Sequence, residues 1–395
     1  MQAAESSPGS LFDSDQHYYE PRDCFTRCMA RKDLPGAIHV VEDENGRETI
    51  LIGDKPFTFL DWNFDRYAKP GALREMLRLM KTPEYHGEVV EDLRPEYTDR
   101  WARLALMDAQ GLQSTLLFPT LAVCVEHFMQ DDPKQMYANF HAFNAWLRED
   151  WGFGDDGRLF GVPLLSLLDL DSALEELEWL LTCGARVVSM RPGPAFGRSP
   201  ADPHFDPLWA RLEEAGVPVA YHVGESGYNE LMSVAWGERP NPSSHRQSAF
   251  QWTNFYGDRP IMDTVSALVF HNLFGRFPGL QILSVENGSG WVEYILKAMD
   301  KMGGMGYNGP WIGGRIQEKP SAILRRHLSV SPFHEENIEA LAGLMGPERV
   351  LFGSDFPHPE GLAEPVRFRD TVANLPGGEQ RLIMGQNGRR LVGLP

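Results

Sequence analysis

The sequence predicts an α/β fold: one (β/α)₈ barrel of the TIM type, with cap insertions after the first and fifth strands. Three observations support it. From residue 110 onward, short β-branched or apolar runs alternate with amphipathic stretches of helical length, the pattern of repeated βα units around a parallel sheet. Counted with one run near the N-terminus, the strand candidates number eight, which is the number that closes a barrel. Several end in acids or histidines, as strands do when their carboxyl ends build a common site.

The first strand is placed at Ser10 to His17. The others fall at Ser114 to Thr120, Leu159 to Ser166, Arg186 to Arg191, Pro218 to Val223, Gln281 to Glu286, Leu328 to Pro332 and Val350 to Asp355. Two helices between them have clear boundaries. Asp171 precedes SALEELEWLLTC, which ends at Gly184, and Asp206-Pro207 opens DPLWARLEEAG, which ends at Gly216. Residues 36 to 53 read as a hairpin with Asn45-Gly46 at its turn, the start of an insertion running to about residue 100. This insertion is expected to cap the pocket. The stretch 225 to 260 follows the fifth strand and is rich in Gly, Ser, Asn and Pro. It also carries Phe250, Trp252, Phe255 and Tyr256, so it is expected to be an ordered loop that lines the pocket. Residues 1–395 are read as one domain.

Composition narrows the partners. The net charge of −18 argues against nucleic acid or an acidic membrane surface and for a small-molecule substrate. The chain shows no export signal and no apolar window long enough to span a bilayer. Cys24, Cys28, Cys124 and Cys183 lack zinc-knuckle pairing and read as reduced thiols, which places the protein in the cytoplasm.

The chemistry gathers at strand ends. Asp15 and His17 alternate onto one side of the first strand, His222 ends the fifth, and Asp355 ends the eighth. Alone, a strand-end histidine is more often a hydrogen-bonded structural residue, and a junction aspartate a helix cap. Together the four form a mixed nitrogen and oxygen shell for a divalent metal, because two carboxylates buried side by side without a cation are costly. Such a shell suits Zn first, and also Mn or Fe.

The chain resembles the amidohydrolase superfamily, in the amidohydrolase-related branch that contains aminocarboxymuconate semialdehyde and resorcylate decarboxylases. The resemblance spans nearly the whole chain. It is carried by HFDPLWARLEEAGVPVAYHVG, GRFPGLQILSVENGSGWVEY, VSPFHEENIEALAGLMGPERVLFGSDFPHPEG and the closing QNGRRLVGL. It implies the same ligand set, with Asp15 and His17 at the strand-one pair, His222 at the strand-five histidine and Asp355 at the strand-eight aspartate. It also implies a homodimer.

Two departures from the family pattern matter. Asp15 stands where a longer glutamate or a histidine is usual, and direct binding to the metal is expected. Glu286 stands where the family carries an acid-base histidine. Two roles fit it: moving protons, or orienting His222 or a bound water. His271, on the helix before strand six, is a weaker catalytic candidate. Arg191, His358 and Trp252 are candidates for substrate contact. For Arg191 the alternative is a structural ion pair, and for His358 a hydrogen bond to its own loop.

Two chemistries share such a site: hydrolysis of a C–N, C–O or C–C bond, and non-oxidative decarboxylation of a hydroxylated aromatic or unsaturated acid. The replacement of the family histidine by Glu286 tips the sequence reading narrowly toward hydrolysis. A non-catalytic binding protein on the same fold is the third possibility.

Overall fold

The computed structural model describes residues 10–60, 62–82, 89–255 and 258–395. Seven barrel strands form: β1 (Phe12–Tyr18), β2 (Ser114–Pro119), β3 (Leu159–Gly161), β4 (Val188–Met190), β5 (Val219–His222), β6 (Ile282–Val285) and β7 (Leu328–Val330). Their ladders are all parallel. They lie in two arcs, β1-β2-β3 and β7-β6-β5-β4. Single parallel bridges span the gaps, from Leu164 to Ser189, from Val330 to Val350 and from Gln16 to Phe356. The order around the ring is that of a (β/α)₈ barrel, but the regular ladder does not run unbroken.

The expected strand over Val350 to Asp355 forms as an irregular segment, and its hydrogen bonds show why. Leu351 N–H donates to Val330 O as a strand would, but Phe352 N–H turns to Ile383 O and Ser354 N–H to the Asp13 carboxylate. Asp355 then takes a left-handed φ of 56°, which ends any extended run. Gly353 is required here, since a Cβ would sit 2.8 Å from the Asp15 Cβ and closer still to Ser331 Oγ.

Every residue of the seven strands is buried, so a hydrophobic side chain is demanded on both faces. Alternate positions, among them Leu116, Phe118, Phe160, Val187, Ala220 and Leu283, form one cluster inside the ring. Phe118 tops it, with its ring 4.7 Å from that of His222 and 6.3 Å from that of His17. The larger cluster joins the strands to the surrounding helices.

Helix starts follow the capping logic with one correction. The helix Leu170–Thr182 is capped by Asp169, whose carboxylate accepts from Ser172 N–H and Oγ–H, while the expected cap Asp171 lies in the first turn. Asp206–Ala215 begins and ends as expected, with Gly216 left-handed at its end.

The hairpin pairs Ile38–Glu42 with Glu48–Ile52. Its turn is wider than the Asn45-Gly46 pair: Asp43 accepts from the N–H groups of Asn45 and Arg47, and Gly46 takes a φ of 77°. The insertion also touches the loop after the eighth segment, since Gly71 N–H donates to His358 O and Leu73 N–H to Pro359 O. It meets the 225 to 260 stretch where Ser244 N–H donates to Phe59 O. That stretch is more regular than expected and carries single turns at 229–236 and a helix at Ala249–Phe255. Tyr256 and residues 61 and 83–88 of the insertion lie outside the described residues.

Candidate metal centre

The ends of β1, β5, β6 and the eighth segment bring six side chains together. The Nε2 atoms of His17 and His222 stand 3.2 Å apart. Asp15 Oδ1 lies 3.5 Å from the first and 3.6 Å from the second. Glu286 Oε2 lies 3.6 Å and 3.3 Å from the same two atoms, and Asp355 Oδ1 lies 3.4 Å from His17. His358 stacks on His17 with 3.9 Å between ring centroids. All six are buried. Glu286 and Asp355 both hold left-handed backbone angles, φ 54° and 56°, a strain that aims their carboxylates inward at the ends of their segments.

The histidines are fixed from behind. His17 Nδ1 lies 3.2 Å from Pro119 O and His222 Nδ1 lies 2.7 Å from Val223 O. A carbonyl can only accept, so Nδ1 carries the proton in each ring and Nε2 presents a lone pair. Two lone pairs at 3.2 Å repel unless something positive lies between or beside them. Asp15 Oδ1, buried and without a hydrogen-bond donor, asks for the same partner. Spacings of 3.2 to 3.6 Å match the ligand-to-ligand edges around an ion whose ligands lie about 2.0–2.2 Å away. The donor set therefore fits a divalent cation.

Electrostatics point the same way. Burial, helped by the nearby His358, pushes the His17 imidazole down to about 3, so it stays neutral. Burial lifts Glu286 to about 8, against the pull of His222 and His358, and it lifts Asp355 far above the usual carboxylate range, with Glu286 adding to the effect.

Behind the shell lie residues that the sequence reading did not single out. Asp13 accepts from Ser354 Oγ–H (2.6 Å), Ser354 N–H (2.9 Å), Gln16 Nε2–H (2.9 Å) and Asp15 N–H (3.2 Å), tying β1 to the eighth segment. Arg103 is fully buried and donates to Gln16 Oε1, His17 O and Glu96 O. Glu20 accepts from the N–H groups of Thr120, Leu121 and Ala122. Asp13 had a legible signal, a second acid in phase with Asp15 and His17. Arg103 and Glu20 had none, because what fixes their roles, Gln16 and the His17 carbonyl for the one and the 120–122 backbone for the other, lies far away in the chain.

The remaining candidates are placed as follows. His358 belongs to the shell, with Nδ1 2.7 Å from Asp355 Oδ1 and Nε2 3.0 Å from Thr120 Oγ1. Arg191 lies next to His222 along a small cleft, but its fork donates to Ser226 O and Pro194 O, and Nε stays 3.9 Å from Glu126. It braces two loops. His271 lies outside the shell, bonded to Ser199 Oγ at 2.6 Å, because the end of its helix points away from the strand ends. Trp252 is 36% exposed and meets Phe255, while its neighbours Ser248 and Gln251 line the nearby cavity.

A buried histidine and carboxylate cluster at the strand ends of such a barrel defines a metal-dependent enzyme. A family model described as Amidohydrolase matches residues 13–394, and the chain belongs to that family. It is 34% identical to an amidohydrolase from Mycobacterium avium subsp. paratuberculosis K-10 whose crystal structure superposes with a TM-score of 0.88 over 99% of both chains. It is also similar in fold to 5-carboxyvanillate decarboxylase from Novosphingobium aromaticivorans, solved with manganese and 4-hydroxy-3-methoxy-5-nitrobenzoic acid (TM-score 0.58, 14% identity, 98% of this chain and 96% of that one). A curated relative is 2-amino-3-carboxymuconate-6-semialdehyde decarboxylase from Dictyostelium discoideum, 21% identical over 241 residues. That match covers 60% of this chain and 62% of the relative's length. The protein is thus an amidohydrolase-family enzyme with a site for a divalent metal, and the reading as a non-catalytic binding protein falls away.

Proposed function

We propose that the enzyme removes CO₂, without redox chemistry, from a hydroxylated aromatic or unsaturated carboxylic acid. Asp15, His17, His222 and Asp355 hold the ion, and Glu286 handles the proton. One observation carries this reading: Glu286 Oε2 reaches into the shell, 3.6 Å from His17 Nε2 and 3.3 Å from His222 Nε2, where its carboxyl can pass a proton to a group held at the ion. Decarboxylation breaks the bond between the ring carbon and the carboxyl carbon, releases CO₂, and leaves an electron pair on the ring carbon. A proton must meet that pair, and Glu286 Oε2 is placed to deliver it. The kinship with two decarboxylases supports the same chemistry.

A bound divalent ion would draw a substrate phenolate or carboxylate oxygen to the shell and offset its charge. The chain's own residues do the rest. His358 Nδ1 holds Asp355 Oδ1, and Thr120 Oγ1 holds His358 in turn, so the Asp355 carboxylate cannot swing away. The carbonyls of Pro119 and Val223 keep both histidine lone pairs aimed inward.

Two carboxylates beside two imidazoles suit manganese as well as the zinc expected from the sequence, and the manganese in the decarboxylase neighbour supports it. The whole chain acts as one catalytic domain, with 36–100 and 225–260 forming walls above the site; their contacts with each other and with the His358 loop support this. A cytoplasmic homodimer fits the four free cysteines and the exposed Trp236 and Met305. Among the described residues no helix is long and apolar enough to cross a membrane.

The test is a panel of hydroxylated aromatic acids and their amides, offered to the metal-loaded protein. CO₂ release from an acid is the expected result, with Glu286→Gln lowering kcat by about 10²- to 10⁴-fold while metal content holds. Amine release without CO₂ would overturn the reading in favour of hydrolysis, with Glu286 as the base.

A further inference from the structure

A second cavity lies outside the metal shell. It has a volume of about 710 Å³ and sits between the cap insertion and the 237–251 segment, and none of the six shell residues lines it. That size falls among sites for small organic ligands, about 300–1,000 Å³.

Its walls divide by chemistry. Phe57, Trp62 and Phe64 supply aromatic surface on the cap side. Arg47, Arg239 and Arg246 stand around it, and among the described residues none of the three forms an ion pair. The two acids on the wall are otherwise engaged, Glu48 by the Arg22 guanidinium and Glu238 by Ser248 Oγ–H at 2.7 and 2.8 Å. Arg47 faces Asp43, but Arg239 and Arg246 outnumber Glu238, whose hydroxyl partner is neutral, so the hollow keeps an excess of positive charge in a chain of net charge −18. Trp62 packs between this cavity and the metal centre. Its ring lies 6.1 Å from that of Tyr19, which lies 6.0 Å from that of His358.

We propose that this cavity binds an aromatic carboxylate outside the metal shell, as a second docking site. The ring lies against Trp62, Phe57 and Phe64, and the carboxylate takes the guanidinium forks of Arg239 and Arg246. The proposal rests on the reading of the substrate as a hydroxylated aromatic acid, but its test does not depend on turnover.

Salicylate is titrated into the metal-loaded protein while tryptophan fluorescence is followed, and Trp62→Phe identifies the part of the signal that belongs to this cavity. The expected result is a Trp62-dependent quench that needs about tenfold more salicylate, or more, in Arg239→Gln/Arg246→Gln. Salicylamide, which has the same ring without the charge, produces no such quench. A quench unchanged by the arginine substitutions, or equal for acid and amide, overturns the proposal. Its absence from the wild-type protein does so as well. A protein that shows the quench but releases no CO₂ from any hydroxylated acid keeps the docking site and loses the decarboxylase reading.

Discussion

Replacing Asp13 by alanine should destabilise the protein and empty its metal site, although Asp13 is not one of the proposed ligands. The carboxylate is fully buried and receives four hydrogen bonds, two of them from Ser354 on the segment that ends in Asp355. Alanine leaves Ser354 N–H, Gln16 Nε2–H and Asp15 N–H as buried donors without acceptors. Ser354 Oγ keeps only a long contact with Asp15 O at 3.4 Å. At about 1–3 kcal/mol for each of these three orphaned donors, the loss is about 3–9 kcal/mol, a large share of the about 5–15 kcal/mol that holds a domain folded. Asparagine should cost less. Its oxygen can still accept from Ser354 N–H and its NH₂ can donate to Ser354 Oγ, but it cannot serve Gln16. That amide cannot flip to compensate, because its oxygen already accepts from Arg103 at 3.0 Å. Asp13→Asn should therefore lose about 1–2 kcal/mol. Urea unfolding of the metal-loaded proteins measures both values, and elemental analysis should show Asp13→Ala with well under one ion per chain. An alanine variant within about 1 kcal/mol of wild type, with full metal, would refute the argument that this carboxylate holds the ring and the site together.

Other outcomes follow from the same geometry. His222→Ala should lose the ion and lower Tm, whereas His271→Ala, which sits against Ser199 outside the shell, should change kcat by less than about threefold. Arg103→Leu removes three buried donors that fix Gln16 and the His17 carbonyl and should cost about 3–5 kcal/mol in urea unfolding. Burial raises Glu225 from 4.5 to about 7, although Gly227 N–H and Arg191 favour the charged form. A raised carboxyl binds its proton more tightly in the folded state, so its contribution is intact below pH 4.5 and is lost as pH climbs through 7. The penalty above that is at most about 3 kcal/mol. Glu225→Gln keeps an acceptor for Gly227 N–H, so it should flatten the fall in stability between pH 5 and pH 8; an unchanged slope would show that Glu225 is not its source.

The local chemistry of the chain determined the fold class and the candidate ligands. Parallel buried strands need continuous apolar runs, and such runs between amphipathic helices are visible without coordinates; hence seven strands lie where periodicity puts them. Asp15, His17, His222 and Asp355 were legible because side-chain alternation and strand ends are properties of short segments. Glu286 was found through its family position, and its role stayed open because a role depends on neighbours. Only the tertiary structure could assign the rest. Arg191 and His358 both stand at strand ends, yet one turns its fork to Ser226 and Pro194 carbonyls while the other stacks on His17, a difference set by loops that the local pattern does not encode. The eighth strand lost its regularity for the same reason. Its apolar residues promised a ladder, but Asp13 of β1 and Ile383 near the C-terminus compete for its backbone N–H groups. Glu20 and Arg103 act on groups far away in the chain, and periodicity within one segment cannot register a partner that folding alone brings near.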